Sequence, residues 1–144
     1  MKKIIILIIL TITLTGCIKN ENFSETCKVE KFSENITDKT STKVTYNNKD
    51  EILNATVTKT YKSKNDKGKE TIKSIKESSD TYNQKYADNP NIKIEISADT
   101  EDEYQIKYHL KVQKLDDNIL REFELRKNTI RYLNLMKNEK IECK

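Results

Sequence analysis

The chain has 144 residues, 27 basic and 23 acidic, for a formal charge of +4, with charged and hydrophobic residues at 35 % each. That length fits one domain rather than two. Two glycines, Gly16 and Gly68, exclude a glycine-rich phosphate loop, which gathers several glycines, and a single histidine, His109, excludes a histidine zinc cluster.

The N-terminus reads Met1-Lys2-Lys3, then Ile4 to Leu14 with threonine as its only polar residue type. A basic start followed by a short apolar run is the pattern of a signal peptide. The run is shorter than the roughly 20 residues of a membrane-spanning helix. Directly after it, Leu14-Thr15-Gly16-Cys17 resembles the lipobox of bacterial lipoproteins. The resemblance implies that the Cys17 thiol takes a diacylglyceryl group and that the chain is cut between Gly16 and Cys17. Two acyl chains give stable anchoring where one does not. Residues 1–16 are therefore expected to be a lipoprotein signal peptide, and 17–25 a lipidated N-terminus and polar tether. Residues 26–144 are expected to form the domain. Removing 1–16 takes Lys2 and Lys3 and no acid, leaving 25 basic against 23 acidic residues over 128. The charges are interspersed along the chain, so nucleic acid is not expected as a partner.

Cys27 and Cys143 remain after Cys17. An even pair outside the cytoplasm points to one disulfide. No Cys-x-x-Cys spacing is present to favour redox activity.

Cys27 to Ser33 is a weak strand candidate. Val44 and Tyr46 alternate with Lys43 and Thr45. After the turn formers Asn47-Asn48-Lys49-Asp50, Leu53, Ala55, Val57 and Tyr61 are in phase, with Thr56, Thr58 and Thr60 opposite. Two such runs around a short polar turn read as a hairpin. The lysine-dense stretch Lys59–Lys69 is expected to be a solvated turn or helix start, with attraction to anionic lipid head groups as the sharper alternative. Asn65 to Gly68 is expected to break the strand. From Thr71 to Tyr86, the residues Ile72, Ile75, Ser79, Tyr82 and Tyr86 share a helical face, which Asp88-Asn89-Pro90-Asn91 terminates. Tyr82 and Tyr86 are expected to pack in the core with their hydroxyls at its rim.

Ile92, Ile94 and Ile96 then alternate with Lys93 and Glu95. Tyr104, Ile106, Tyr108, Leu110 and Val112 alternate with Gln105, Lys107, His109 and Lys111. Such alternation marks a sheet with one face buried. His109 falls on the polar face. The acids Asp99 to Glu103 lack the spacing and glycine of a calcium loop and read as a charged turn. Ile119, Leu120 and Phe123 form a short apolar turn. Asn128 or Thr129 is expected to cap a last helix whose inner face is Ile130, Leu133 and Met136, with Tyr132 and Leu135 beside it.

The ordered set of Thr45-Tyr46, Ala55–Tyr61, Tyr82–Ile96, Tyr104–Leu110 leading into Leu115-Asp116, and Tyr132–Ile141 resembles the small bacterial lipoproteins of the YehR type over about residues 41–143. The resemblance implies an α+β fold, an antiparallel sheet of about four to five strands with two main helices packed against it. It carries over no catalytic residues. Family members often have a glycine where this chain has Asn138-Glu139-Lys140.

The expected function is a membrane-anchored extracytoplasmic lipoprotein, a non-enzymatic module binding a protein partner or small ligand at the cell envelope. No catalytic residues, metal or cofactor are assigned. The alternatives are an envelope redox or enzyme accessory protein, with a polar cleft around His109, Tyr104 and the acids 99–103, or a structural envelope lipoprotein.

Overall fold

The computed structural model describes residues 21–144. The expected signal peptide, the lipobox-like Leu14–Cys17 and the expected lipid attachment at Cys17 lie outside the described residues. Five strands, β1 (Asn22–Phe32), β2 (Ile36–Asn47), β3 (Ile52–Ser63), β4 (Ile92–Asp99) and β5 (Glu103–Lys111), form one antiparallel sheet in the order β1-β2-β3-β5-β4. Three helices, α1 (Asp66–Gln84), α2 (Asp117–Glu122) and α3 (Thr129–Asn138), pack on one face. The fold is thus α+β, with α1 and α3 as its main helices. The first strand begins at Asn22, so residues expected to belong to the tether pair instead with β2, Phe23 against Tyr46 and Glu25 against Val44.

Strand alternation assigns the two faces of the sheet. Tyr104, Ile106, Tyr108 and Leu110 on β5 lie beside Tyr61, Lys59, Val57 and Ala55 on β3, and all turn toward the helices. Thr56, Thr58 and Thr60 lie on the open face beside His109, Lys107 and Gln105. On β4 the inward row fades toward the edge: Ile92 is buried, Ile94 half-buried, and Ile96 is 47 % exposed. A register shift between Thr45 and Tyr46 places Ile52 opposite Tyr46 and fully buries it. Ile52, rather than the expected Leu53, is therefore the core residue at this end. Val112 stays buried but belongs to a 3-10 turn over Val112–Lys114 that ends the strand.

The segment Asn65-Asp66-Lys67-Gly68 starts α1 rather than only interrupting a strand. The Asn65 side chain caps the helix by accepting from the Gly68 N–H at 2.9 Å, which satisfies one of the donors a helix start leaves free. Ile72 and Tyr86 are buried, and Ile75 and Tyr82 half-buried against them, so the expected stripe is the packed one. Tyr108 donates to the Asn83 side chain at 2.8 Å, fastening the end of α1 to β5.

The last helix turns a different face inward from the one expected. Thr129, Tyr132 and Met136 are buried, while Ile130 is 56 % exposed. The reason is its docking. Asn128 caps the helix at Arg131 N–H, and the Thr129 N–H donates to the Asp50 carbonyl at 2.8 Å. That bond fixes the rotation of the first turn against the β2–β3 turn. The helix then ends with Lys140 at φ 58°, the left-handed region that glycine occupies most easily.

The chain returns to its start. Thr26 and Lys144 exchange both backbone hydrogen bonds, at 2.7 and 2.9 Å, and Cys27 lies opposite Cys143 in the adjacent pair. The two cysteines are joined by a disulfide with a Cα–Cα distance of 4.1 Å across a sequence separation of 116. The C-terminus thereby covers part of the free edge of β1.

Closing so long a loop constrains the unfolded chain by about 4–5 kcal/mol in the loop-entropy view. Replacing both cysteines by alanine should lower the melting temperature sharply. Denatured, unreduced protein should show no reactive thiol at positions 27 and 143. A Cβ at buried Gly68 would overlap the Asn35 carbonyl oxygen and press on Ser63 Cβ at 3.1 Å. Gly68→Ala should therefore destabilise by about 1–3 kcal/mol in urea unfolding, as overpacking does.

Candidate functional site

The five strands present more inward surface than the helices cover. α1 lies over β3 and β5. The α2–α3 unit is tied to the β2–β3 turn by Ile52 N–H donating to Lys127 O at 2.8 Å and by the Thr129–Asp50 bond. Between these two supports, part of β1, β2 and β3 carries no helix. A cleft of about 220 Å³ opens there.

Its floor is polar although it lies on the core side of the sheet. Lys31, Asp38 and Tyr61 form one row across β1, β2 and β3, and Val29, Thr40 and Lys59 form the next. Thr42 follows, beside Cys27 and Val57. The wall is Phe123 at the end of α2, Tyr132 and Met136 from α3, and Ile141. A shallower groove along α1 shares Lys59, Tyr61 and Glu122 with the cleft, so the two are continuous.

Lys31 and Asp38 form no ion pair among the described residues. Lys59 makes no ion pair with any described carboxylate. The Tyr132 hydroxyl is closed off from solvent, with the Thr42 side chain as its neighbour. Burial pushes the Tyr132 hydroxyl up to about 12. Tyr61 also rises to about 12, by burial first and then by the Asp38 carboxylate beside it. Both phenols are neutral at physiological pH and act as hydrogen-bonding groups.

Glu122 marks the junction of cleft and groove. Lys85 Nζ reaches its two oxygens at 2.6 and 2.8 Å, and Tyr86 donates its hydroxyl to it. The hydrogen bonds from Lys85 and Tyr86 lower its carboxyl below the ordinary value. The rings of Tyr82, Tyr86, Tyr108 and Phe123 pack edge-on and tilted behind it, with centroids 5.1 to 6.3 Å apart. Tyr82 and Tyr86 are therefore core residues with hydroxyls at the rim, as their spacing predicted.

The sequence-predicted residues fall elsewhere. His109 stands on the open face, 40 % exposed in its side chain, with Nδ1 3.3 Å from Thr56 Oγ1 and Nε2 3.5 Å from Glu95. Tyr104 points to the opposite face and is buried. The two do not meet in a cleft. The acidic turn is engaged by lysines: Lys76 bonds Asp99 at 2.5 Å, Lys69 approaches Asp102 at 3.8 Å, and Lys62 bonds Glu103 at 3.2 Å. Among the described residues no His, Cys, Asp and Glu cluster of metal-binding size occurs. The lysine-dense stretch is dispersed. Lys59 floors the cleft, Lys62 pairs on the open face, Lys64 bonds Ser33 O, and Lys69 lies between Asp66 and Asp102. Cys17 and Gly16 lie outside the described residues.

The cleft itself was not foreseen. Its signal in the sequence is weak but real. Lys59 interrupts the apolar phase of Val57 and Tyr61, and Asp38, Thr40 and Thr42 occupy the phase of Val44.

No family model matches the chain, and no curated protein matches it. A similar solved structure is the NMR structure of a protein from Streptococcus pneumoniae TIGR4. It has a TM-score of 0.54 at 15 % identity, with 100 % of this chain and 97 % of that chain covered. At that identity the likeness concerns the fold.

Because the folded pKa of Glu122 is lowered, its stabilising effect is present above the unfolded value near 4.5 and is lost as pH falls through the folded value. Glu122→Gln should flatten the acid limb of melting temperature against pH below that point. Its effect should be roughly constant from pH 6 to 8, read by thermal unfolding across a pH series.

Proposed function

We propose that this chain is a lipid-anchored lipoprotein of the bacterial envelope, of the YehR type, whose domain binds a partner through the cleft over β1–β3. The anchor rests on the basic start, the apolar run and the lipobox ending at Cys17. The disulfide fits an oxidising compartment. No helix among the described residues is long and apolar enough to cross a membrane.

The observation that carries the binding reading is the polar floor. Lys31, Asp38, Thr40 and Lys59 stay in reach of solvent on the side of the sheet that is otherwise apolar core. Here Lys31 and Lys59 both stand in one cleft without an ion pair to a described carboxylate. Hydroxyls, the two lysines Lys31 and Lys59, the carboxylates of Asp38, Glu122 and Glu124, and an apolar wall of Phe123, Met136 and Ile141 suit a polypeptide segment. Such a segment offers alternating amides and side chains.

Two measurements test this. Mass spectrometry of membrane-extracted protein should find Cys17 as the N-terminus carrying diacylglycerol, and an unmodified Cys17 would remove the anchor. A photo-crosslinking residue at position 61 in the cleft should capture a discrete envelope protein in cells, while one at position 58 on the open face should not. Equal capture from both positions would refute the cleft as the binding site.

A further inference from the structure

We propose that the helix-free face of the sheet lies on an anionic phospholipid surface, with the cleft turned away from the membrane. The proposal rests on the lipid-anchor reading for bringing the domain to the bilayer. Everything else in it comes from the charge and shape of that face.

Charges that look interspersed in sequence are sorted by the strand period of two. Lys28 on β1, Lys39 and Lys43 on β2, Lys93 on β4 and Lys111 on β5 all point to the open face. None of these five makes an ion pair with a described carboxylate. Lys62 and Lys107 share the face but are held by Glu103 and Glu95. Glu30 is the remaining acid in these rows. Seven lysines therefore face three glutamates, although the described residues as a whole are nearly neutral, so the rest of the domain is net acidic.

The shape of the face selects a surface over a chain-like ligand. Its lysines are spread over the strands rather than aligned along one groove. Between them lie Thr26, Ser41, Thr45, Thr56 and Thr58, short side chains above which the longer lysines project. At one corner Phe32, also on this face, is 70 % exposed with Lys64 Nζ 5.4 Å from its ring centre. An exposed aromatic beside lysines suits the headgroup boundary of a bilayer. At the opposite end of the strands a concavity of about 330 Å³ holds Lys93, Lys111, His109, Thr56 and Asn54. That set of donors matches a phosphate oxygen. The first strand begins at Asn22, five residues after Cys17. An extended tether of that length spans at most about 18 Å. The tether thus holds the domain at the bilayer surface, and the lysines supply the short-range attraction to phosphate, which acts over a Debye length of about 8 Å.

The test uses the full, processed chain in vesicles of phosphatidylcholine alone and of equimolar phosphatidylcholine and phosphatidylglycerol. A membrane-impermeant amine-reactive reagent is applied and each lysine is read by mass spectrometry. Lys28, Lys43, Lys93 and Lys111 should label about fivefold more slowly on the anionic vesicles, and high salt should remove the difference. Lys73 and Lys137, on the helix side, should label alike on both. The double variant K43E/K93E, altering two exposed side chains, should lose protection at Lys28 and Lys111. Equal labelling of the open face on both vesicles would overturn the proposal. So would equal protection on phosphatidylcholine by added soluble polyglycerol phosphate, which would place an anionic polymer there instead. A chain without lipid on Cys17 that still sediments with the anionic vesicles at low salt would remove the anchor and keep the face. A lipidated chain with even labelling would do the reverse.

Discussion

The two-residue period of β3 and β5 is the constraint on which the rest of this molecule depends. In these paired strands nearly every inward residue is apolar or aromatic and nearly every outward one is threonine, glutamine, lysine or histidine. A one-residue slip would carry the whole inward row to solvent, so the register is fixed by burial itself. Once it is fixed, β2 and β4 add on either side and the helices have one face to cover. The sheet is then larger than its cover. Five strands of 8 to 12 residues stand against helices of 19, 6 and 10 residues. α1 alone can shield β3 and β5. The six-residue α2 and ten-residue α3 cannot close the remaining half, so part of the inward surface of β1–β3 must tolerate water. The residues found there, Lys31, Asp38, Thr40 and Lys59, are those that tolerate it.

Closure of the chain ends makes this uneven cover stable. A first strand at a sheet edge exposes unpaired backbone groups. Thr26 and Lys144 satisfy part of that edge, and the disulfide holds the C-terminal segment in place. The same segment carries Ile141 to the rim of the cleft. Met136 O accepts from Ile141 N–H at 2.9 Å just after Lys140 adopts its left-handed backbone. The disulfide, the helix end and one wall of the cleft are therefore a single mechanical unit. Loosening the staple would move the wall as well as lower the stability.

The parts of this fold that could be read from sequence are those decided locally. Tyr104 to Leu110 alternate, the α1 stripe runs from Ile72 to Tyr86, and the turn formers at 47–50 sit where the hairpin turns. Sequence spacing misleads where tertiary contacts decide. In α3, Ile130, Tyr132, Leu133, Leu135 and Met136 ring the helix, and sequence spacing alone does not choose among them. The bond from Thr129 to Asp50 does. In β3, the register shift at Thr45/Tyr46 puts Ile52 in the core in place of Leu53, and a bulge leaves no mark in hydrophobic phase. The cleft was hidden for a third reason. Its floor and walls come from three strands, two helices and the C-terminal segment, so no window of sequence contains it. Only the polar residues in an apolar phase point to it.

The same alternation separates two kinds of surface that a composition near neutrality conceals. Inward, partial cover leaves a cleft with carboxylates and two unpaired lysines. Outward, no helix competes for the threonine rows, and lysines predominate. Neither surface follows from the net charge, which is small because the two sides offset one another. A charge count averages over the faces that folding separates, whereas strand parity resolves them. For a sheet with helices on one side only, parity is therefore the level at which a sequence begins to describe a surface. His109 illustrates the point: its parity with Lys107 and Lys111 places it on the lysine face, far from the buried Tyr104 that precedes it by five residues.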